Sequence, residues 1–583
     1  MKQRNRTRRW PDRANGCKWG VGIEFRRVPG KSSAKMLRIW WDQIKAAAWA
    51  ADPRHRRRKL LRSAWGDPGA QTQGWLARRF FELTRDQSTG GWLDDKAWDD
   101  LEFPKLFSLL NTTISPVGGQ CLYKQMRMYV ADTERLRQRY ETSQTLRIDA
   151  ELRERLQLIL LRLGADSAAF MTEILHGRTP AKPRLYWLIV AWACVSACSL
   201  IASYALSWVL WIPAIILSVN GLILFRSSPE LDRDIDALLS CARMLGVADR
   251  MAALRAGSRI PQLSALASQG YERRVLRRGI RWLAALDRLM QSPDPGSFAL
   301  SLAANFCFLA KIVAYGHAVD RFVRSRHQWA SMFELVGTLD AAIAVANFMH
   351  RYPTHCRAIM NDASKIEIAE GYHPLLIRPV PISILLDRRS AVICGSNMTG
   401  KTAFVKMVGI NVTLGQTLGL CLASSATIPR GPVMASIKGE QSVESGKSRY
   451  FAEIDAILGF IEAGSQGGCR VFIIDELFSG TNTIERVAAA KAVLDALSTN
   501  AQVLVTTHDV ELQRLLSDRF ERYHFREDPS VEGFFDYKLR RGASHGRNAI
   551  RLLERMGFPT QIIQEALALA EGRAGNPQKP RSH

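Results

Sequence analysis

The chain carries the octapeptide Gly395-Ser396-Asn397-Met398-Thr399-Gly400-Lys401-Thr402. It matches the phosphate-binding pattern G-x-x-x-x-G-K-[ST], in which glycines allow backbone N–H groups to surround phosphate oxygens. The octapeptide follows a β-branched run and precedes a helical pattern, which is the context in which this motif binds phosphate. We therefore predict a site for ATP or GTP. Lys401 would reach the β- and γ-phosphates, and the Thr402 hydroxyl would be a ligand of Mg2+.

A second predicted strand ends in two carboxylates. The apolar run Val471-Phe472-Ile473-Ile474 is followed by Asp475 and Glu476. The carboxyl ends of parallel strands line a ligand-binding crevice, so both side chains are expected beside the phosphate loop. Asp475 would hold Mg2+ directly or through water, and Glu476 would orient or activate the attacking water. Without the phosphate loop upstream, such a run would indicate only the end of a strand.

A third predicted strand, 502–506, leads into Thr507-His508-Asp509. A histidine at this strand end can contact the γ-phosphate or the attacking water and so report the state of the nucleotide. A lone histidine is more often structural, but its position directly after a core strand favours the switch role for His508.

The composition is strongly basic, with a formal net charge of +25. Such a surplus favours polyanionic partners, either nucleic acid phosphates or the anionic face of a cytoplasmic leaflet. Much of it lies before residue 63, where a solvated and poorly ordered tail is the alternative interpretation. The ten cysteines include no Cys-x-x-Cys pair, so they predict neither a disulfide framework nor a metal site. No apolar stretch follows the basic N-terminus, so no signal peptide is predicted.

The stretch Leu185–Phe225 contains no charged side chain. A membrane-spanning helix needs about 20 apolar residues, so this length fits two helices with a short turn near Tyr204, Ser207 and Trp208. Basic residues flank both outer ends: Lys182, Arg184 and Arg226. The positive-inside rule then places both ends in the cytoplasm. The alternative is a buried helical hairpin in a soluble core, but soluble helices rarely lack a polar stripe.

The pattern of residue types changes near residue 360. Before it, Ala, Leu and Arg recur at helical periods, with a turn predicted at Ser115–Gly119. Phe298–Ala314 contains Asn305 and Lys311, and it is predicted to be a core helix rather than a third span. After residue 365, short β-branched runs alternate with helical patterns, which indicates a parallel sheet.

These residues together resemble the MutS family of mismatch-repair ATPases. The pair Asn397-Met398 is typical of the family's phosphate loop. Further similar stretches are Gly371–Leu376 (a His-Pro motif), Ser445–Glu453, Asp475–Asn482 and Gly542–Pro559. Weaker similarity to the family's helical core covers Leu109–Leu122 and Leu335–Ala346. The resemblance implies a homodimer with two composite ATP sites, because Ser445 and Gly446 would face the nucleotide of the partner subunit. It also implies duplex DNA as a partner, held through its phosphates with little sequence selectivity.

The chain also departs from the family pattern. Thr399 stands where the family usually has glycine. The residues before the helical core leave little room for the family's N-terminal mismatch-reading domain, and we interpret Phe80-Phe81-Glu82 as a chance match to its wedge motif. The apolar hairpin interrupts the region that carries the DNA clamp in the family. Mismatch repair proper is therefore not the function that the sequence favours.

The sequence thus predicts a membrane-tethered ATPase that couples ATP binding and hydrolysis to dimer closure and DNA binding. The fold class is an α/β P-loop ATPase domain, with a parallel sheet and helices on both faces, preceded by a mostly α-helical region containing a transmembrane hairpin. The predicted segments are a basic, partly disordered region (1–94), helical core (95–184), hairpin (185–226), second helical part (227–360), ATPase domain (361–541) and helical tail (542–583). The inner or cytoplasmic membrane is the expected location, with both termini and the ATPase domain cytoplasmic.

The sequence leaves two other functions as alternatives. A transporter-type ATPase needs more than two helices for a translocation path unless it oligomerises, and its Leu-Ser-Gly-Gly-Gln signature is absent from the sequence. The other alternative is a membrane-bound mechanochemical ATPase that acts on lipid or protein partners rather than on DNA. In that case the basic N-terminus would bind anionic lipid.

Overall fold

The structure is a computed structural model, and it describes residues 54–69, 74–85, 91–164, 168–205, 211–225, 229–254, 260–290, 294–396, 399–437, 449–465, 470–478, 482–527, 535–543 and 557–572. The chain divides into two compact units, Met1–Ser63 and Ala64–His583. In the first unit the described residues form helix α1 (Arg54–Ser63). All contacts given below lie within the second unit.

The described part of the second unit is almost entirely helical up to Arg351, which confirms the predicted helical region. Its helices are α2 (Gly74–Thr84), α3 (Asp95–Asp100), α4 (Phe103–Leu110), α5 (Pro116–Arg127), α6 (Thr133–Ile148), α7 (Ala150–Leu160), α8 (Ala168–His176), α9 (Tyr186–Ala205), α10 (Trp211–Phe225), α11 (Pro229–Ala252), α12 (Pro261–Ser268), α13 (Gly270–Met290), α14 (Pro295–Phe308), α15 (Ala310–Arg324) and α16 (Arg326–Arg351).

The turn predicted at Ser115–Gly119 is wrong, because this segment begins helix α5. The Ser115 Oγ accepts a hydrogen bond from the Gly118 N–H at 3.1 Å, and Pro116 occupies the first helical turn. A serine N-cap followed by proline favours a helix start. Glycine is needed at 118 for packing, since a Cβ there would lie 2.3 Å from the Asp340 carboxylate.

Asp340 of α16 joins two parts of the helical region that are far apart in the sequence. Its buried carboxylate accepts hydrogen bonds from the N–H groups of Ile114 (2.9 Å) and Ser115 (2.8 Å) and from the Ser115 hydroxyl (2.6 Å). A buried carboxylate requires such donors, because burial without partners strongly disfavours its charged form. The two stretches that resemble the family's helical core are therefore in direct contact.

The charge-free stretch forms the two helices α9 and α10, and the residues between them lie outside the described part of the chain. By length and composition α9 is apolar enough to cross a membrane, and only 11% of its window Tyr186–Ser203 is buried in the protein. Helix α16 also passes this test, but it is 83% buried and belongs to the helical core. The pairs α10–α11 and α14–α15 pass only when each bent pair is taken together.

The stretch Phe298–Ala314 is not the single core helix that was predicted. Helix α14 ends at Phe308, Leu309 has a φ of 51°, and α15 leaves at an angle of 79°. Leu309 is fully buried, and this burial holds a non-glycine residue in the unfavourable left-handed region. The core assignment is also wrong for α14, because Phe298, Leu300 and Leu302 are exposed.

The α/β domain follows α16. Its strands are β1 (Cys356–Arg357), β2 (Ile359–Asn361), β3 (Lys365–Gly371), β4 (Ile382–Asp387), β5 (Ser390–Cys394), β6 (Leu420–Cys421), β7 (Ser425–Pro429), β8 (Val433–Ser436), β9 (Val471–Asp475), β10 (Gln502–Thr507), β11 (Phe520–Glu527) and β12 (Phe535–Arg541). Its helices are α17 (Lys401–Leu418), α18 (Arg449–Ser465), α19 (Thr483–Asn500) and α20 (Val510–Leu515), and α21 (Thr560–Gly572) follows the domain.

The main sheet has the strand order β12-β11-β5-β10-β9-β8. Neighbours from β11 to β8 are parallel, but β12 is antiparallel to β11, so the sheet is mixed rather than wholly parallel as predicted. The chain between these two strands is too short for a parallel crossover, which takes a dozen or more residues. Helices cover both faces. Ile473 packs on the α17 side, and its neighbours Phe472 and Ile474 pack on the side of α18, α19 and α20.

The helical region packs directly on α17, the helix that follows the phosphate loop. A Cβ on Gly409 would lie 2.5 Å from Ile473 of the sheet and 2.6 Å from Leu101 of the helical region. The Val130 N–H also donates to the Gln416 carbonyl at 3.0 Å. Because glycine allows this close approach on both sides, a shift of α17 would be transmitted to the helical region.

Candidate nucleotide site

The phosphate loop connects β5 to α17. Gly400 has a φ of 99°, which glycine adopts without strain. A Cβ at Gly400 would lie 3.1 Å from the Tyr537 ring, so this ring from β12 lies against the loop. The buried Thr399 donates from its hydroxyl to the Ser396 carbonyl at 2.7 Å. Two predicted phosphate-binding residues lie outside the described part: Asn397 and Met398.

Lys401 is nearly buried at the start of α17. Its Nζ donates to the carbonyl oxygens of Gly395 at 2.6 Å and Ser396 at 2.8 Å. The ammonium group is therefore held against the loop and beside a helix N-terminus. Both features attract anions, so this end of the loop suits a phosphate group.

Asp475 lies at the carboxyl end of β9, beside the first turn of α17. Its Oδ2 accepts a hydrogen bond from the Thr402 hydroxyl at 2.9 Å, and its Oδ1 accepts one from the Thr506 hydroxyl on β10. A hydroxyl and a carboxylate are hard oxygen ligands. They suit Mg2+, which binds through one or two carboxylates together with substrate phosphates. The predicted metal ligands Thr402 and Asp475 are thus adjacent.

Glu476 follows β9 with a φ of 54°, an uncommon conformation for a side-chain-bearing residue. Its N–H donates to the Thr506 carbonyl at 3.1 Å, which anchors the strained residue to the neighbouring strand. Its carboxylate oxygen lies 3.5 Å from Nδ1 of His508 at the end of β10. Strained backbone of this kind is characteristic of functional sites. The structure therefore places two of the three predicted catalytic side chains, Glu476 and His508, next to each other; the third, Asp475, directly precedes Glu476.

Two side chains beside His508 were not predicted from the sequence. Its Nε2 lies 3.8 Å from Asp509, whose carboxylate accepts two hydrogen bonds from Arg486 of α19, at 3.0 and 2.9 Å. The Arg486 and Asp509 side chains are mostly buried. Asp509 could have been predicted, because it directly follows His508 after a strand. The contact of Arg486 with Asp509 is shown only by the packing of α19.

The predicted His-Pro motif lies against α17. His373 is buried, with its Nε2 4.0 Å from Glu102, which also pairs with Lys406 of α17 at 3.3 Å. The His373 Nδ1 accepts a hydrogen bond from the Leu375 N–H at 3.3 Å, so the ring is neutral. Burial lowers the pKa of His373 to about 4.

The segment that resembles the family's partner-facing stretch is described only from Arg449 onward. Ser445 and Gly446, predicted to contact nucleotide, lie outside the described residues. Glu453 of α18 accepts a hydrogen bond from the Phe478 N–H. This bond ties α18 to the loop that follows Glu476.

The family model described as MutS domain V matches residues 391–572. The chain is 28% identical over 257 residues to the DNA mismatch repair protein MutS of Natronomonas pharaonis, covering 42% of this chain and 30% of that protein. It is 31% identical over 247 residues to the endonuclease MutS2 of Pelotomaculum thermopropionicum, and 31% identical over 242 residues to a putative endonuclease MutS2 of Bacillus subtilis. Each of the latter two matches covers 40% of this chain and 30% of the relative.

The chain therefore matches less than a third of the length of these relatives. The match to the family model includes the phosphate loop, Asp475, Glu476 and His508. Residues 391–572 are therefore a MutS domain V, and over this domain the chain is similar to the MutS and MutS2 proteins.

Proposed function

We propose that this chain binds ATP with Mg2+ at residues 395–402 and hydrolyses it. One observation carries the proposal: the carboxyl ends of β5, β9 and β10 bring an ammonium group, a hydroxyl-carboxylate pair and a second carboxylate to one place. The ammonium belongs to Lys401, the pair to Thr402 and Asp475, and the second carboxylate to Glu476. Phosphoryl transfer depends on positioning and charge stabilisation, and these are the groups that it requires.

Each group then has a role. Lys401 binds the β- and γ-phosphates, while Thr402 and Asp475 hold Mg2+, which would neutralise charge on the phosphate oxygens. Glu476 accepts a hydrogen bond or a proton from the attacking water, whose oxygen bonds to the γ-phosphorus as the bond to the ADP oxygen breaks. His508, held by the Asp509–Arg486 pair, lies where it can sense the γ-phosphate through Glu476.

We further infer a homodimer that closes on ATP and reopens after hydrolysis. The sequence resemblance supports this inference, because Ser445 and Gly446 belong to a stretch similar to the family's partner-facing segment. The packing of α17 between the sheet and the helical region supplies a path for the movement.

Duplex DNA is the proposed partner. The name of one relative, a DNA mismatch repair protein, and the net charge of +25 support it. Contacts to phosphates would make binding strongly dependent on salt. Phe80 and Phe81 of the wedge-like sequence are fully buried in α2, so they are unavailable to DNA and mismatch reading is not part of the proposal.

Helices α9 and α10 are proposed to tether the protein to the inner or cytoplasmic membrane, with both termini and the ATPase domain in the cytoplasm. Exposed apolar side chains on both helices support the tether: Trp187, Leu188, Ile201, Trp211 and Ile215. Surfaces of this kind suit acyl chains better than water.

The second candidate is a mechanochemical ATPase that acts on lipid or protein partners. It is favoured by the position of the apolar helices in the chain, since α10 ends at Phe225 and the long helix α11 of the helical region begins at Pro229. A movement of the helical region could then reach the membrane rather than DNA.

The experiment is steady-state ATP hydrolysis by the full chain in detergent, with and without duplex DNA across a salt series, beside the Glu476→Ala variant. We expect DNA to change the wild-type rate, the effect to fade with salt, and the variant to be inactive. Hydrolysis that ignores DNA at every salt concentration would reject the DNA role and favour the second candidate. Equal rates for wild type and variant would reject the proposed site itself.

A further inference from the structure

Helix α14 has an inverted distribution of polar and apolar side chains. Its 14 residues include no charged side chain. Its exposed residues are all apolar or glycine: Pro295, Gly296, Phe298, Ala299, Leu300, Leu302, Ala303, Phe306 and Phe308. Its polar side chains are less exposed: Ser301 is 1% exposed, and Ser297 and Asn305 are half-buried. A helix on a water-facing surface has the opposite arrangement.

The preceding helix, α13, does not share this inversion. Helix α13 buries Leu276, Ile280 and Leu283, and its exposed face is rich in arginine. The exposed arginines are Arg274, Arg277, Arg278, Arg281 and Arg288. Two consecutive helices of the same region therefore present surfaces suited to two different surroundings: water or anionic headgroups for α13, and hydrocarbon for α14.

Polar side chains of α9 and α10 donate hydrogen bonds to carbonyl oxygens at the C-terminal end of α14. The Asn220 Nδ2 on α10 donates to the carbonyl oxygens of Phe306 and Cys307, each at 3.0 Å, and the Ser196 hydroxyl on α9 also donates to Cys307. The Trp192 indole donates to the Asn220 Oδ1 at 2.8 Å, which orients the amide. Asn220 and Ser196 are fully buried. Carbonyls at a helix end must find such donors where water is absent, as in a bilayer core.

The length and flanks of α14 exclude a complete span. Fourteen residues extend about 21 Å, whereas the hydrocarbon core is about 30 Å thick. Leu309 turns the chain by 79° into α15, whose Lys182–Asp320 ion pair (2.6 Å) and Arg321–Arg278 contact (3.2 Å) lie in the helical region. Both ends of α14 therefore return to the same side.

We propose that α14 is a third membrane element: a helix that inserts its Phe298, Leu300, Leu302 and Phe306 face among the acyl chains of one leaflet, beside the hairpin and without crossing. This inference rests on the proposed membrane tether. Lipid is the occupant because α14 packs against α9 and α10, whose exposed side chains are also apolar, and against the arginine-rich α13, beside which anionic headgroups would lie. Hydrogen bonds from Asn220 and Ser196 then fasten the inserted helix to the hairpin.

The test is photolabelling of the full chain in vesicles of phosphatidylethanolamine and phosphatidylglycerol that contain a phospholipid with a diazirine at the acyl terminus. Labelled peptides are mapped by mass spectrometry. We expect label in α9 and α14, and about tenfold less in the adjacent α13, because its exposed arginines are excluded from hydrocarbon. Label in α9 with no excess in α14 over α13 would overturn this inference and leave the tether standing. No label in either helix would reject the tether and this inference together.

A matched pair of variants tests whether the label on α14 depends on the apolar character of its exposed face. Leu300→Lys adds a charge to the exposed face, and Leu300→Met keeps it apolar. The lysine variant should lose most of the α14 label, by about tenfold, while the α9 label and ATP hydrolysis stay unchanged. The methionine variant should label as the wild type does. Equal α14 label in both variants would show that this face does not lie in hydrocarbon. A face covered by another copy of the protein would give that result.

Discussion

The nucleotide site and the group formed by α9, α10 and α14 both bury polar side chains, but they present opposite surfaces to their surroundings. At the nucleotide site the buried groups are charged and lie near the carboxyl edge of the sheet, as Lys401 and Asp475 do. In the apolar helices the buried groups are neutral, as Asn220 and Ser196 are, and their partners are carbonyls of the protein itself.

The difference follows from what each surface must contact. A charged group can be buried at the edge of a sheet because a phosphate, a metal ion or water completes its interactions. In hydrocarbon no such partner exists. The polar groups that can be buried there at low free-energy cost are neutral and fully hydrogen-bonded within the protein. The predictions below test each side of this contrast, from the largest expected effect to the smallest.

Glu476→Gln should lower ATP hydrolysis about 10³-fold, because the variant loses the carboxylate that activates water but keeps the shape of the side chain. ATP binding should be nearly unchanged. Phosphate release and nucleotide titration measure the two effects. Glu462→Gln, on the exposed face of α18, is the control and should leave both unchanged. A Glu476→Gln variant with wild-type turnover would show that another group activates the water.

His373 should make stability depend on pH. Its folded pKa of about 4 lies below the ordinary 6.5, so its contribution is complete above pH 6.5 and is lost as the pH falls toward 4. The shift sets an upper limit of about 3 kcal/mol on this loss. Thermal unfolding midpoints of the wild type should therefore fall from pH 6.5 to pH 5 more steeply than those of His373→Asn.

The control for this comparison is His327→Asn, since His327 is exposed on α16. It should follow the wild-type pH dependence. Parallel pH profiles for the wild type and His373→Asn would contradict the assignment of the loss to the buried ring. Asn220 and its partners Ser196 and Trp192 do not titrate in this range. Asn220 variants should therefore keep the wild-type dependence of the unfolding midpoint on pH.

Asn220→Leu should destabilise the apolar helices by about 1–2 kcal/mol, because the Phe306 and Cys307 carbonyls lose their donor in a nonpolar environment. The unfolding midpoint in detergent and protease sensitivity at the α14–α15 junction measure this effect. Ser218→Ala is the matched control, since the exposed Ser218 bonds only within its own helix, to Ala214. If both variants behave alike, the buried amide does not fasten α14.

Thr399→Gly should have the smallest effect. The substitution restores the residue usual in the family and removes one hydroxyl bond to Ser396, worth about 1 kcal/mol. ATP hydrolysis should stay within about threefold of the wild type, because the phosphate-binding glycines and Lys401 are untouched. A much larger loss of turnover would assign Thr399 a direct role at the nucleotide.

Much of the nucleotide site could be predicted because its chemistry is local in the sequence. The phosphate loop, the carboxylates after β9 and the histidine after β10 each follow a strand, and parallel strands place their carboxyl ends at one edge. Arg486 could not be predicted in the same way, because it reaches Asp509 from a helix whose sequence gives no sign of that contact. Tyr537 lies against Gly400 only because β12 returns antiparallel.

The errors in the helical region have a related origin. The pattern Ser115–Gly119 predicts a turn, yet this segment begins a helix, and Gly118 is required there because α16 brings Asp340 close. The break between α14 and α15 at Leu309 contains no proline or glycine that would predict it from the sequence. It depends on the burial of the Leu309 side chain. Residue composition alone indicated that α14 was apolar, but it could not indicate which side of the helix faced outward.

The sequence by itself determined the P-loop ATPase domain, its carboxylates and the charge-free stretch, because each depends on residues adjacent along one strand, loop or helix. Only the tertiary structure decided how Asp340 joins the helical region, which residues hold His508, and that α14 turns its apolar face outward. Those features depend on contacts between residues far apart in the chain. Their geometry is set by packing, which the pattern of neighbouring residues does not encode.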